Sequence, residues 1–403
     1  MKHVLIAIAF CTVINVGAQS GKDVNDVIKY LFQTNGYNKN IIPSTDQRQA
    51  LTVIVDFVLN SISEFDAQNE MLSTSGYFVV RWTDEYLVWD VDQFNGTQEI
   101  LLPQDEIWKP DLLLANSYKS FTGMGYPNLK VKVNSTGYVQ WFPSQVLEST
   151  CSVNIRYFPF DKQTCVIKIN AWSYSEDDIE FSIANDNIDL DDFTTNSQWD
   201  VLSTNARVLN TNDEPAVEFE LHLKRRASFY VLNIIIPVLL LSLLSAFSFV
   251  LPADSGERAG YAVTIFLSLA VFLTIISSEL PKNSKEVSYL SVYLLIMIVC
   301  NTVMLAIGLA QVRLVSRDEA MEPVGHNLRC LYRLYRKLKC SSAVAPKESL
   351  NVVDVIDKET EKRAQQECPS WPEVVSALDF LMFWLFIIIT VLCTVVLYLI
   401  CLL

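Results

Sequence analysis

Residues 254–281, DSGERAGYAVTIFLSLAVFLTIISSELP, are long enough to cross a bilayer as one helix, since about 20 apolar residues suffice. The faces of that helix differ. Steps of three and four from Glu257 pass through Gly260, Thr264, Leu267, Val271, Thr274 and Ser278, a stripe of acidic, small, hydroxyl and aliphatic residues. The other faces carry Tyr261, Ile265, Phe266, Leu269, Phe272 and Ile276. A helix with a polar stripe at this period aims it at water or at another polar surface. One helix encloses no water, so a pore requires several copies around an axis. A buried span whose hydroxyls bond their own carbonyls fits the same pattern, and both readings stand at this point.

Three more apolar runs flank this one, at 229–251, 287–312 and 378–403, the first with Pro237 inside it. A proline within a span kinks the helix and is tolerated where neighbours satisfy the freed carbonyl. A shorter apolar core near the start, preceded by Lys2 and closed by Val16-Gly17-Ala18, reads as a secretory signal peptide over residues 1–18. Secretion of the chain from residue 19 onward, then four crossings, places both termini outside and residues 314–377 in the cytoplasm. That segment carries Arg317, Arg329, Arg333, Arg336, Lys337 and Lys339, in keeping with the positive-inside tendency. Within it Leu328, Leu331, Leu334, Tyr335 and Leu338 share one face, so a basic amphipathic helix on the inner leaflet is expected. A charged helix is expected over 351–376, interrupted by Pro369 and Pro372.

Residues 19–228 read differently. A short amphipathic helix over 22–32 gives way to a period of two in the runs 51–60, 76–89, 129–142, 165–171 and 216–223, separated by turns such as Asn95-Gly96 and Ser135-Thr136-Gly137. Many short strands over such a length predict a β-sandwich. The expected fold class is therefore β + α: an extracellular immunoglobulin-like sandwich (19–228), three membrane helices (229–313), the cytoplasmic segment and a fourth helix (378–403). Acidic side chains outnumber basic ones by roughly two to one in the sandwich region, which disfavours nucleic acid as a partner. Of the nine cysteines only Cys151 and Cys165 fall in the secreted segment, where a lone pair is expected to oxidise. Asn95 and Asn134 begin glycosylation triplets. Asp186, Asp189, Asp191 and Asp192 form an acidic run that reads as a solvated loop in preference to a calcium site. The histidines, His3, His222 and His326, offer no catalytic triad and no metal spacing, so no enzyme and no cofactor are expected.

Cys151-SVNIRYFPFDKQT-Cys165 encloses thirteen residues and contains Phe158-Pro159-Phe160-Asp161. With four apolar runs behind it, this resembles the signature loop of the Cys-loop receptors, the pentameric ligand-gated ion channels. Trp108-Lys109-Pro110-Asp111, Trp82-Thr83-Asp84, Ala171-Trp172-Ser173-Tyr174, Gly137-Tyr138-Val139-Gln140-Trp141 and Asp254-Ser255-Gly256-Glu257-Arg258 are similar to the nicotinic acetylcholine and serotonin branch. The resemblance implies a plasma-membrane subunit that assembles with four others, alike or different, passes monovalent cations, contacts membrane lipid and serves at a synapse. It turns the stripe into pore rings, with Glu257 at the cytoplasmic mouth, Gly260 and Thr264 above it, Leu267 and Val271 as a hydrophobic gate, and Ser278 toward the outer end. It implies a small ligand, an amine or amphiphile, held at subunit interfaces in an aromatic cage. Trp172 and Tyr174 would belong to the principal face, and Trp82 and Trp141 to the complementary one. Arg225 would pair with an acid in the lower loops, Asp161 or Glu64, while Phe158 and Pro159 press on residues 282–288.

The chain also departs from that pattern. Ala115 stands where relatives carry a tyrosine, and residues 203–215, STNARVLNTNDEP, lack both tyrosines and the adjacent cysteine pair of acetylcholine-binding subunits. Ser288 replaces a proline, and Ala67 an acid. A complementary or silent subunit, without a full agonist site of its own, is the alternative these departures raise.

Overall fold

The computed structural model describes residues 20–211, 214–253, 256–279, 286–317, 324–340 and 369–402. The expected signal segment, residues 282–285, most of the expected charged helix and the side chain of Ser278 lie outside the described residues. The chain divides into two compact units, Met1–Val153 with Gln163–Lys224, and Asn154–Lys162 with Arg225–Leu403.

The first unit opens with a helix, Gly21–Lys29, started by Ser20, whose hydroxyl accepts the Lys22 amide. Val27 and Leu31 are fully buried, as the amphipathic spacing requires. Among the described residues eleven strands come next: β1 (Leu51–Asp66), β2 (Met71–Val88), β3 (Glu99–Pro103), β4 (Leu112–Leu114), β5 (Lys130–Asn134), β6 (Thr136–Trp141), β7 (Ser144–Thr150), β8 (Lys162–Ala171), β9 (Ile179–Ser182), β10 (Trp199–Thr211) and β11 (Glu214–Arg225). One sheet runs β3-β5-β6-β2-β1-β9, with β7 also paired to β2, and the other runs β10-β11-β8-β4. The sheets meet through rings: Phe57 on β1 and Phe78 on β2 lie 4.7 Å apart, and Phe219 on β11 stands 5.6 and 5.9 Å from them. Such centroid spacings are those of favourable aromatic contacts. At the bulge in the β1–β2 ladder, a Cβ on Gly76 would stand 2.3 Å from the Val58 carbonyl oxygen, so only glycine fits. The run 129–142 is a hairpin, β5 and β6, broken at the Ser135-Thr136-Gly137 turn. Cys151 and Cys165 are disulfide-bonded.

Among its described residues the second unit holds four helices long and apolar enough to cross a membrane: Ser228–Phe249, Glu257–Ser277, Tyr289–Val315 and Trp371–Cys401. In the first, the turn Val231–Ile235 widens to a π-helix just before Pro237, which accommodates the amide the proline lacks. Ser288 caps the third helix, its hydroxyl accepting the Leu290 amide at 3.2 Å. The fourth begins at Trp371, earlier than its apolar run. Pro372 sits in the first turn, where a missing amide breaks no helical bond, so it does not interrupt the helix as the sequence suggested. The basic helix, His326–Cys340, packs Leu328 near Trp371 and places Tyr335 5.5 Å from Phe380. At least part of its apolar face therefore covers the fourth helix, where the amphipathic pattern alone would lay that face on lipid.

Candidate functional site

In the first unit, Trp172 stands just beyond the end of β8. Its amide donates to the Asp111 carbonyl at 3.1 Å, and the Ser173 hydroxyl donates to the Asp111 carboxylate at 2.7 Å. The ring is 59% exposed, a high value for a tryptophan. Tyr174 turns inward: its hydroxyl accepts the Trp108 indole N–H at 3.0 Å, and burial pushes its pKa up. An edge-on chain of rings continues from Tyr174 to Trp108 (5.9 Å) and to Trp82 (5.7 Å). Trp82 and Trp141 are 2% and 1% exposed. The Trp141 indole donates to the Gln104 side chain at 3.0 Å, with Lys109 5.7 Å above its ring. The structure therefore brings Trp82 and Tyr174 to the two ends of one ring chain, buried at Trp82 and half-buried at Tyr174, and Trp172 is the most exposed of the four.

Asp84, inside the Trp82-Thr83-Asp84 motif, is fully buried. Its carboxylate accepts the Tyr37 hydroxyl at 2.6 Å and the Tyr86 amide at 2.9 Å, and the Tyr37 oxygen in turn accepts the Trp108 amide at 3.0 Å. Burial pushes the Asp84 pKa up to about 6. The sequence motif contained the residue but gave no sign of a tyrosine partner 47 positions away.

Asn95 lies exposed in a left-handed backbone conformation, its amide nitrogen donating to Asp23 at 2.8 Å. Asn134 uses its carbonyl oxygen to hold the β5–β6 turn, accepting from Thr136 and from the Tyr138 amide. Asp186, Asp189, Asp191 and Asp192 lie between β9 and β10. Among the described residues no group of three or more His, Cys, Asp or Glu side chains is placed to hold a metal.

In the second unit, Asp161 and Arg225 form a two-point ion pair, Nε to Oδ1 at 2.8 Å and Nη2 to Oδ2 at 3.2 Å, with both side chains almost wholly buried. The guanidinium also faces the rings of Phe158 (4.9 Å) and Tyr230 (5.5 Å). Phe158 is buried in a cluster with Ile234, Leu269, Ile276 and Leu290. The Tyr289 amide donates to the Arg156 carbonyl at 3.0 Å, and Arg156 lies 3.5 Å from Glu286. Of the two acids considered for Arg225, Asp161 is the one the structure joins to it.

On the second apolar helix Arg258, Ala262, Leu269 and Ile276 are buried, whereas Glu257, Gly260, Thr264, Leu267, Val271 and Thr274 are exposed. The Thr264 and Thr274 hydroxyls donate to the carbonyls of Gly260 and Val271, so hydroxyls on this face are satisfied within the helix. Arg258, one residue from Glu257, points the other way. It donates to the Asp379 carboxylate at 2.6 and 3.1 Å and to the Gln311 side chain at 2.6 Å, joining three helices. Nothing in the sequence named Asp379 or Gln311; a lone acid and a lone amide near the ends of apolar runs were the available signal.

Residues 24–227 match the neurotransmitter-gated ion-channel ligand binding domain, and residues 234–333 match the neurotransmitter-gated ion-channel transmembrane region. The chain is similar to an acetylcholine receptor subunit beta-like 1 of Drosophila melanogaster, 30% identical over 308 residues, covering 74% of this chain and 58% of that protein. It is similar to a neuronal acetylcholine receptor subunit beta-2 of Carassius auratus, 27% identical over 309 residues, 75% of this chain and 66% of that one. Against the human neuronal acetylcholine receptor subunit beta-3 it is 27% identical over 436 residues, 96% of this chain and 94% of that one. The chain thus spans less than two thirds of the first two of these relatives and nearly all of the third.

Proposed function

The chain belongs to the neurotransmitter-gated ion-channel family, and on that premise we propose that it is one subunit of a pentameric, ligand-gated cation channel in the plasma membrane. The observation that carries this reading is the two-faced second apolar helix. Its buried face packs on its own unit, and its outward stripe runs from Glu257 through Thr264 and Leu267 to Val271. Five such stripes around an axis would line a pore, with a ring of carboxylates at the inner mouth that attracts cations and two aliphatic rings that gate by dewetting. The ligand site is at the exposed Trp172, and Arg225, Asp161 and Phe158 carry its effect to the helices. Cysteines placed at Thr264, Leu267 and Val271 should react with a water-borne methanethiosulfonate reagent while the channel is open. Protection at all three in every state would sink the reading.

A complementary or silent subunit is the second reading, favoured by Ala115 and by the absence of aromatic residues in 203–215. Expression of this chain alone should then give no agonist-evoked current, with current appearing on co-expression of a partner subunit.

A further inference from the structure

Phe121 lies outside every motif named above, yet its ring stands 5.8 Å from that of Trp172, with 34° between the planes. Both rings are 59% exposed. Neither is on a loose segment. The Ala115 amide donates to the Lys168 carbonyl at 2.7 Å and the Tyr118 amide to the Glu148 carbonyl at 2.8 Å. Between them the Asn116 side chain accepts the Lys168 amide at 3.0 Å and donates to the Val166 carbonyl at 2.7 Å. The loop bearing Phe121 is thereby tied to β7 and β8, the latter being the strand that presents Trp172.

The chain that follows Trp172 is acidic. Glu176, Asp177, Asp178 and Glu180 come shortly after Trp172 in the chain. Asp178 accepts the Ser175 amide and hydroxyl, which hold its carboxyl below the usual range and so keep it ionised. The nearby cations are occupied: Lys119 pairs with Glu148 and Lys109 with Asp105, each at 2.9 Å. Exposed aromatic faces suit a cation. The two exposed rings stand close together with their planes tilted by 34°. A compact ammonium would touch one face, whereas a flat body attached to it would cover the second.

We propose that Phe121 and Trp172 form one ligand platform, in which Phe121 selects an organic ammonium bearing a flat apolar body over a compact one. This rests on the ligand-site reading of Trp172 above and adds the residue that sets its selectivity.

The test is equilibrium binding to membranes holding the full-length chain, with tritiated benzyltrimethylammonium as probe and tetramethylammonium as competitor. The benzyl compound should bind about tenfold tighter, in line with one added aromatic contact. Phe121→Ala should reduce that preference to about threefold or less, Phe121→Tyr should keep it, and Trp172→Ala should weaken both cations. A preference unchanged in Phe121→Ala, with binding lost in Trp172→Ala, would overturn the role of Phe121 and leave the Trp172 site standing. No saturable binding of either cation would overturn the ligand class, while labelling at Thr264, Leu267 and Val271 still judges the pore separately.

Discussion

Arg225 grips Asp161 at two points across a sequence separation of 64, in a place almost closed to water. The chain passes between its two compact units at 153–154, 162–163 and 224–225. Asp161 and Arg225 stand at the last two of these crossings. The ion pair therefore joins two chain segments that lie next to those crossings. Burying two charges is costly, and removing one partner leaves the other uncompensated, at about 3–5 kcal/mol. Asp161→Asn and Arg225→Gln should each lower the melting midpoint of the purified chain. The double variant should be less destabilised than the sum, by on the order of 1–3 kcal/mol. Strict additivity in a double-mutant cycle would show that the pair has no energetic content.

Asp84 makes stability depend on pH. Burial raises its folded pKa to about 6, above the ordinary value near 3.9. Between roughly pH 4 and 6 the folded chain thus binds the proton that the unfolded chain releases, so this group's contribution is full below that window and lost as pH rises through about 6. Asp84→Asn keeps an acceptor for the Tyr37 hydroxyl and removes the titration. The melting difference between the parent chain and Asp84→Asn should shift in favour of the parent on going from pH 7 to pH 4.5, by up to about 2 kcal/mol. A difference that does not vary with pH would count against a raised pKa.

Glu257 is exposed on the stripe while its neighbour Arg258 is buried. If five Glu257 side chains ring the proposed pore, Glu257→Ala should move the reversal potential of the evoked current toward that of chloride, because carboxylates in a ring repel anions. An unmoved reversal potential would place the selectivity filter elsewhere.

Arg258 reaches Asp379 on the fourth helix and Gln311 on the third. Asp379→Asn strands a guanidinium that is 1% exposed, and a loss of about 3–5 kcal/mol should appear as a lower melting midpoint in detergent and reduced surface expression. The pair Arg258→Met with Asp379→Leu should recover most of that loss, since a well-packed apolar pair replaces a buried ionic one at little cost. Failure to recover would mean that the cluster does more than satisfy charge.

Much of the architecture was legible in one dimension. Apolar runs about 20 residues long announce bilayer-crossing helices because unpaired backbone groups are excluded from hydrocarbon. The period of two announced the sandwich, and the stripe from Glu257 to Val271 was visible because side chains three and four apart share a helix face. Boundaries were less secure where a proline was involved. Pro372 reads as a breaker, yet a proline in a first turn breaks no helical bond.

Residue order was enough to tell which segments are strands, which are apolar helices, which two cysteines bond, and which face of the second helix is left outward, since each depends on local period or composition. Folding in three dimensions chose the partners: Asp161 with Arg225, Asp379 with Arg258, Tyr37 with Asp84, and Phe121 beside Trp172. It also put Trp82 and Trp141 inside and Trp172 outside. The reason is physical: hydrogen bonds, ion pairs and ring contacts act over a few ångströms between residues far apart in the chain. No periodicity encodes which distant residue the fold brings within that reach.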